Sequence, residues 1–396
     1  MGAGTGRSPL SWTGIVYNIS GQHDDNAYSQ LLRVAKKFVT ENNIKIIHVD
    51  SPPRAASTAF FRALEQDADA SIFEPFLDRP PNFENGCSRI LETLKHYKTE
   101  HGIPPKTLVA KDVSRYIKAD DWAQWLDVIY ASIVLIRDPF TQLNSLLRRK
   151  AHEYANNYTG DNLSTSEVMS LAPNVDQMLL TGRPNDESAS PFYGTSGWKN
   201  LKEHVDTTAP HFQKHHEKKL IIVDTTLLRI MPTTMMQEIT SYLGMKYSKR
   251  LVSGWGNTGA VINNNSAWYA KAALSDGFLL PTDPYLTLND MPNGMKEHAI
   301  KQALPIYIEL LNHPARVGPK DSVDLRRILA TKIDGTKTFS DFNPITAYTL
   351  LTLNDKLSFK KIEKDLRVHF PNNIAVFDII DQLAKNAPNT TKWLIK

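Results

Sequence analysis

Three groups of residues combine types and spacings that could do chemistry. The first, Pro53-Arg-Ala-Ala-Ser-Thr58, offers an arginine, two hydroxyls and the backbone N–H groups of any helix that starts there. Such a set holds a phosphate without a metal. The second, Arg137-Asp-Pro-Phe-Thr-Gln-Leu-Asn-Ser145, puts a hydroxyl eight residues after an arginine, about two helical turns on. An arginine fork with a hydroxyl suits a second phosphate group. The third, Lys111-Asp112, sets a carboxylate that could take a proton beside a cation. Each also has a plain reading. The first is equally a turn with Ser57 or Thr58 as a helix cap, and Arg137 could pair with Asp138 or Asp112. Lys111 and Asp112 could make ordinary salt bridges.

Periodicity places these groups on elements. Tyr28, Leu31, Leu32, Ala35, Phe38 and Val39 fall on one helical face, which Asn42-Asn43 ends. Ile44 to Asp50 is apolar and rich in β-branched residues, which predicts a buried strand. The Ser51 to Ala56 turn and a helix from Ser57 to about Asp67 follow it. Thr107 to Lys111, Ser132 to Ile136 and Lys219 to Asp224 read as three further strands, and a helix is expected around Thr234 to Leu243. Strands that alternate with helices predict an α/β fold, a parallel sheet flanked by helices. All three candidate groups then follow strands, where ligands collect in open α/β sheets.

Taken together, the first two groups resemble the P-loop sulfotransferases that use 3′-phosphoadenosine-5′-phosphosulfate. In that family a Pro-Arg/Lys-x-Gly-Ser/Thr-Ser/Thr loop holds the 5′-phosphosulfate, and Arg-Asp-Pro with a serine eight residues on holds the 3′-phosphate. The resemblance runs over about residues 44 to 280 and includes Leu243-Gly-Met-Lys-Tyr247. It implies donor contacts from Arg54, Ala55, Ala56, Ser57, Thr58, Ala59, Arg137 and Ser145. It also implies that the segment carrying Trp255 and Trp268 folds over the nucleotide. Arg54 and Lys111 would be catalytic cations and Asp112 the general base, with no metal required. The chain departs from the pattern at Ala56, where the family has glycine, and at Ala59, where many members carry an aromatic residue. Gly-x-x-Gly-x-x-Lys is missing near its expected position.

Composition bounds the rest. The 396 residues, 41% hydrophobic and 22% charged, are ordinary globular usage, and a net charge of +4 is too weak for a dedicated nucleic-acid binder. Ile129 to Ile136, the longest apolar run, falls far short of the about 20 residues a membrane span needs. One cysteine, Cys87, excludes an internal disulfide framework, and a cytoplasmic protein is expected. His211-Phe-Gln-Lys-His215-His216 has metal-like spacing, but its lysine-rich surroundings read as a basic segment before a strand. The expected organisation is a polar and helical extension over 1–43, a sulfotransferase-like domain over 44–315 and a small helical domain over 325–396. The last faintly resembles winged-helix, peptide-binding modules through Thr349 to Ser358, and so could take a peptide or protein partner. The acceptor is expected to be a small molecule or peptide. A nucleotide kinase is the alternative enzyme, disfavoured by the missing Walker lysine, and a non-catalytic nucleotide-binding module is the other alternative.

Overall fold

The computed structural model describes residues 25–76, 83–155, 163–181, 197–255, 275–278 and 291–318. The expected C-terminal domain over 325–396 and Trp268 lie outside them. Five strands form one all-parallel sheet: β1 (Lys45–Asp50), β2 (Ala70–Phe73), β3 (Thr107–Lys111), β4 (Ile129–Ile136) and β5 (Lys219–Asp224), in the order β2-β3-β1-β4-β5. The expected strands are all present. β4 starts three residues earlier than the sequence predicts and takes in the whole apolar run Ile129–Ile136.

Both faces of the sheet are buried, which is why the strands read as continuous apolar runs. Alternate residues of β1 serve different cores. Ile47 and Val49 pack with Phe60, Phe61 and Leu64 of α2 (Ser57–Glu65). Ile46 packs on the other face with residues of α3 (Phe83–His101) and with Trp122 and Trp125 of α4 (Ala119–Trp125). The first helix, α1 (Asp25–Glu41), joins that second core through Leu32 and Val39 and packs against α3. From Leu31 to Val39 the predicted apolar stripe is the one it turns to the core. No helix among the described residues is long and apolar enough to cross a membrane.

The other elements gather beyond β4. They are α5 (Pro139–Tyr154), α6 (Thr165–Thr181), α7 (Trp198–Gln213), α8 (Thr225–Ile230), α9 (Pro232–Leu243), α10 (Asn293–His298) and α11 (Leu304–Leu311). After α11, where the sequence reads as a plain loop, the chain returns to the sheet. Ile222 N–H donates to Ala315 O at 3.0 Å, and Val317 N–H donates to Ile222 O at 3.0 Å. That single parallel bridge covers the open edge of β5, a common way to manage an exposed strand edge.

The strand order decides where a ligand can bind. The chain leaves β1 toward β2 on one side and leaves β4 toward β5 on the other, so the order reverses between β1 and β4. In open α/β sheets the crevice outside the C-terminal ends of such a strand pair is the ligand site. Ser51 to Ala56 leaves β1 there, and Arg137 leaves β4 there.

α7 begins against the same loop. Gly197, just before it, has φ +85°, and a Cβ added there would meet Ser114 Oγ at 2.5 Å and Pro53 Cδ at 3.4 Å. Ser114 Oγ donates to Gly197 O at 2.8 Å, and its N–H donates to Ser51 O at 2.9 Å. Gly197→Ala therefore forces a left-handed alanine into a hydroxyl already in use. It should cost about 2 kcal/mol or more in urea-unfolding free energy.

Candidate functional site

The β1–α2 loop has an unusual backbone for its sequence. Arg54 (φ +68°) and Ala56 (φ +59°) are both left-handed, although neither is glycine. Ala56 is the N-cap of α2 and has no side-chain oxygen to offer, so its side chain caps none of the first amides of that helix. Ser57 is buried and Thr58 half-buried at the first helical positions. A left-handed residue ahead of an uncapped helix start turns N–H groups toward one concavity, the usual backbone anion cradle. Ala56 thus holds, without glycine, a left-handed backbone that strains it.

The loop keeps this shape through α5. Asp138 caps that helix, its Oδ1 accepting from Thr141 N–H at 3.0 Å, and Pro139 follows at the first helical position, which needs no N–H. This accounts for Arg137-Asp-Pro as a local structure and aims α5 past the loop. Arg137 Nη1 donates to Arg54 O at 3.0 Å, and Arg54 Nε donates to Ser145 Oγ at 3.2 Å. Gln142 Nε2 donates to Pro53 O at 2.7 Å. The two motifs therefore meet at the switch point. Arg54, Ala55, Ala56, Ser57, Thr58, Arg137 and Ser145 share one corner of the molecule, and Ala59 lies one residue into α2.

Lys111 and Asp112 leave the neighbouring strand and are enclosed. Lys111 does not pair with Asp112. Its Nζ bonds Glu74 Oε1, with both side chains almost wholly buried, and lies 4.6 Å from the Phe73 ring centroid. Glu74 is itself left-handed, at φ +48°. Asp112 accepts from Phe76 N–H at 3.0 Å through Oδ1, and its Oδ2 lies 3.2 Å from His48 Nε2. Burial pushes the Asp112 carboxyl up to about 6, opposed by the His48 and Phe76 hydrogen bonds. The two residues expected to face an acceptor instead tie β3 to β1 and to the end of β2.

A second histidine pair lies on the same side of the sheet. His204 of α7 stacks on Trp122 with ring centroids 4.8 Å apart, and Trp122 lies 4.9 Å from His48. His204 Nε2 faces Ile117 O at 3.0 Å, an acceptor only, so it carries a hydrogen. His204 Nδ1 lies 2.7 Å from Asp50 Oδ2, a contact that also needs a proton between its atoms. Asp50 Oδ1 in turn accepts from Ser51 N–H at 2.9 Å, which starts the loop. His48, Asp50, Gln142 and His204 are site-shaping residues that the motifs alone do not mark. The one visible signal is a polar residue inside a run of strand apolars, as His48 is.

Two other expectations fall differently. Trp255 is buried at the opposite end of α2 from the loop, edge-on to Phe278 at 5.0 Å and 5.5 Å from the Arg62 guanidinium carbon. It is a core residue there, because Arg62 in the last turn of α2 holds its carbonyl. His211 lies in the last turn of α7, before β5, and Asp127 Oδ1 lies 3.5 Å from its Nε2. No group of three metal-ligating side chains occurs among the described residues. No known protein-family model and no curated protein sequence matches the chain.

Two stability tests follow from this geometry. Ala56→Gly removes the left-handed penalty without removing a contact, and should raise unfolding free energy by about 1 kcal/mol in urea titration. Asp112→Asn keeps an acceptor for Phe76 N–H and a polar partner for His48. The raised carboxyl is neutral at low pH and becomes a penalised buried charge as pH rises from about 4 through 6. The variant should therefore match the parent near pH 4 and exceed it by about 2–3 kcal/mol at pH 8.

Proposed function

We propose that this chain is a sulfotransferase that binds 3′-phosphoadenosine-5′-phosphosulfate between β1 and β4. It passes the sulfuryl group to a hydroxyl of a small-molecule or peptide acceptor. One observation carries the reading. Two sequence groups 91 residues apart meet through the Arg54–Ser145 bond at the switch point. The family resemblance assigns them to the two ends of one nucleotide.

Supporting chemistry is available for each part. The uncapped amides of α2, with Ser57 and Thr58, suit the 5′-phosphosulfate, and Arg137 with Ser145 suits the 3′-phosphate. In the transfer the acceptor oxygen bonds to sulfur as the sulfur–oxygen bond to the 5′-phosphate breaks. The leaving electron pair stays on the phosphate oxygen. In this reading Arg54 is the cation that meets that developing charge. The acceptor proton needs a base; the resemblance gives that role to Asp112, which is enclosed between His48 and Phe76, so the reading requires it to open toward the acceptor.

A second reading has its own support: Lys111 and Asp112 are enclosed, as in a module that binds the nucleotide without turnover. Melting the protein with adenosine 3′,5′-bisphosphate, ATP, AMP and NAD tests the common element, since only the bisphosphate should stabilise it strongly. An assay for sulfuryl transfer to phenolic and alcoholic acceptors then separates enzyme from module. Within the binding site, Arg137→Ala should weaken the bisphosphate by about 2–4 kcal/mol and Ser145→Ala by about 1 kcal/mol in calorimetry. The reverse ranking would exchange their roles.

A further inference from the structure

Gln142 lies five residues past Arg137, inside the second motif but at neither of its functional ends, and is almost wholly buried. Its amide makes two bonds. Oε1 accepts from Trp198 Nε1 at 2.9 Å, and Nε2 donates to Pro53 O at 2.7 Å. The orientation is forced, because an indole N–H can only donate and so must meet the amide oxygen. The amide nitrogen is then left for the loop carbonyl. Arg137 holds the next carbonyl, that of Arg54. Two consecutive loop carbonyls are therefore pinned on α5 side chains.

Planar trans peptides convert this into a statement about donors. In each, N–H points opposite to C=O. With the Pro53 and Arg54 oxygens turned to Gln142 and Arg137, the N–H groups of Arg54 and Ala55 turn away from those side chains. We infer that Gln142, braced by Trp198, is the positioning residue that presents the loop amides to an anionic group. The identity of the nucleotide rests on the reading above, but the clamp itself needs only an anion. Arg137 has a ligand of its own to hold under that reading. Gln142 has no such task and is left to hold the loop.

The test is calorimetric titration of the full chain with pyrophosphate and with adenosine 3′,5′-bisphosphate, alongside thermal melting. Gln142→Met keeps the volume and charge of the site but removes both bonds. It should weaken both anions about tenfold. Trp198→Phe leaves the Pro53 bond in place and should weaken them by a smaller factor. A Gln142→Met protein that melts lower yet binds both anions like the parent overturns the clamp and leaves the nucleotide reading untouched. Pyrophosphate binding that depends on Gln142, with no preference for the bisphosphate, supports the clamp and overturns the nucleotide reading. A parent protein that binds neither anion overturns both. If Gln142→Met does not fold, Trp198→Phe decides, and unchanged affinity in it overturns the clamp.

Discussion

A loop held left-handed without glycine needs an external hold, and this molecule is organised around providing one. Left-handed φ at Arg54 and Ala56 costs on the order of 1–2 kcal/mol each. The compensation comes from bonds made by Gln142 and Arg137, and both depend on where α5 starts. That start is fixed in turn by the Asp138 cap and Pro139. The strand order brings β4, and so α5, directly beside β1. The local motif and the global topology thus specify each other.

The C-terminal edge of the sheet carries a row of buried acids. Asp50 ends β1, Asp112 follows β3, Asp138 follows β4 and Asp224 ends β5. Four carboxylates at one edge of a sheet would repel one another unless their charge were taken up locally. Each has such a partner. Asp50 is hydrogen-bonded to His204, and Asp112 meets His48 and the Phe76 N–H. Asp138 caps α5, and Asp224 accepts from Tyr307 Oη at 2.6 Å while burial pushes it up. These acids shape turns, and the cations in the loop and at Arg137 are left to act toward the crevice.

The sequence makes the strands and the β1–α2 turn legible because both depend on local chemistry: continuous β-branched apolars, and a turn of hydroxyls with an arginine before a helix. The pairing of residues 315–317 with β5 is invisible in the same way that most long-range pairing is. A three-residue parallel bridge has no periodicity of its own. Trp255 and Asp112 illustrate the opposite problem. A tryptophan or an acid after a strand has the same letters whether it faces a ligand or a core. The groups that touch them here, Arg62 on the Trp255 carbonyl and Phe76 N–H on Asp112, lie elsewhere in the sequence. Gln142 hid inside the interval of a motif because the motif is defined by its charged end and its hydroxyl end. The residue that braces the loop lies between them.

Alanine at position 56 changes how such a loop responds to its surroundings. Glycine visits left- and right-handed conformations with similar ease, so a glycine loop can form its cradle alone, at the cost of ordering a freer chain. Alanine has fewer unfolded conformations to lose but disfavours the one the cradle needs. Its native geometry is then a minority state that tertiary bonds must select. The selecting bonds come from α5 and, through Trp198, from the start of α7, where Gly197 packs against Pro53. Anything that shifts either helix start therefore acts on the loop amides directly. An anion seated on those amides would stabilise both helix starts by the same free energy.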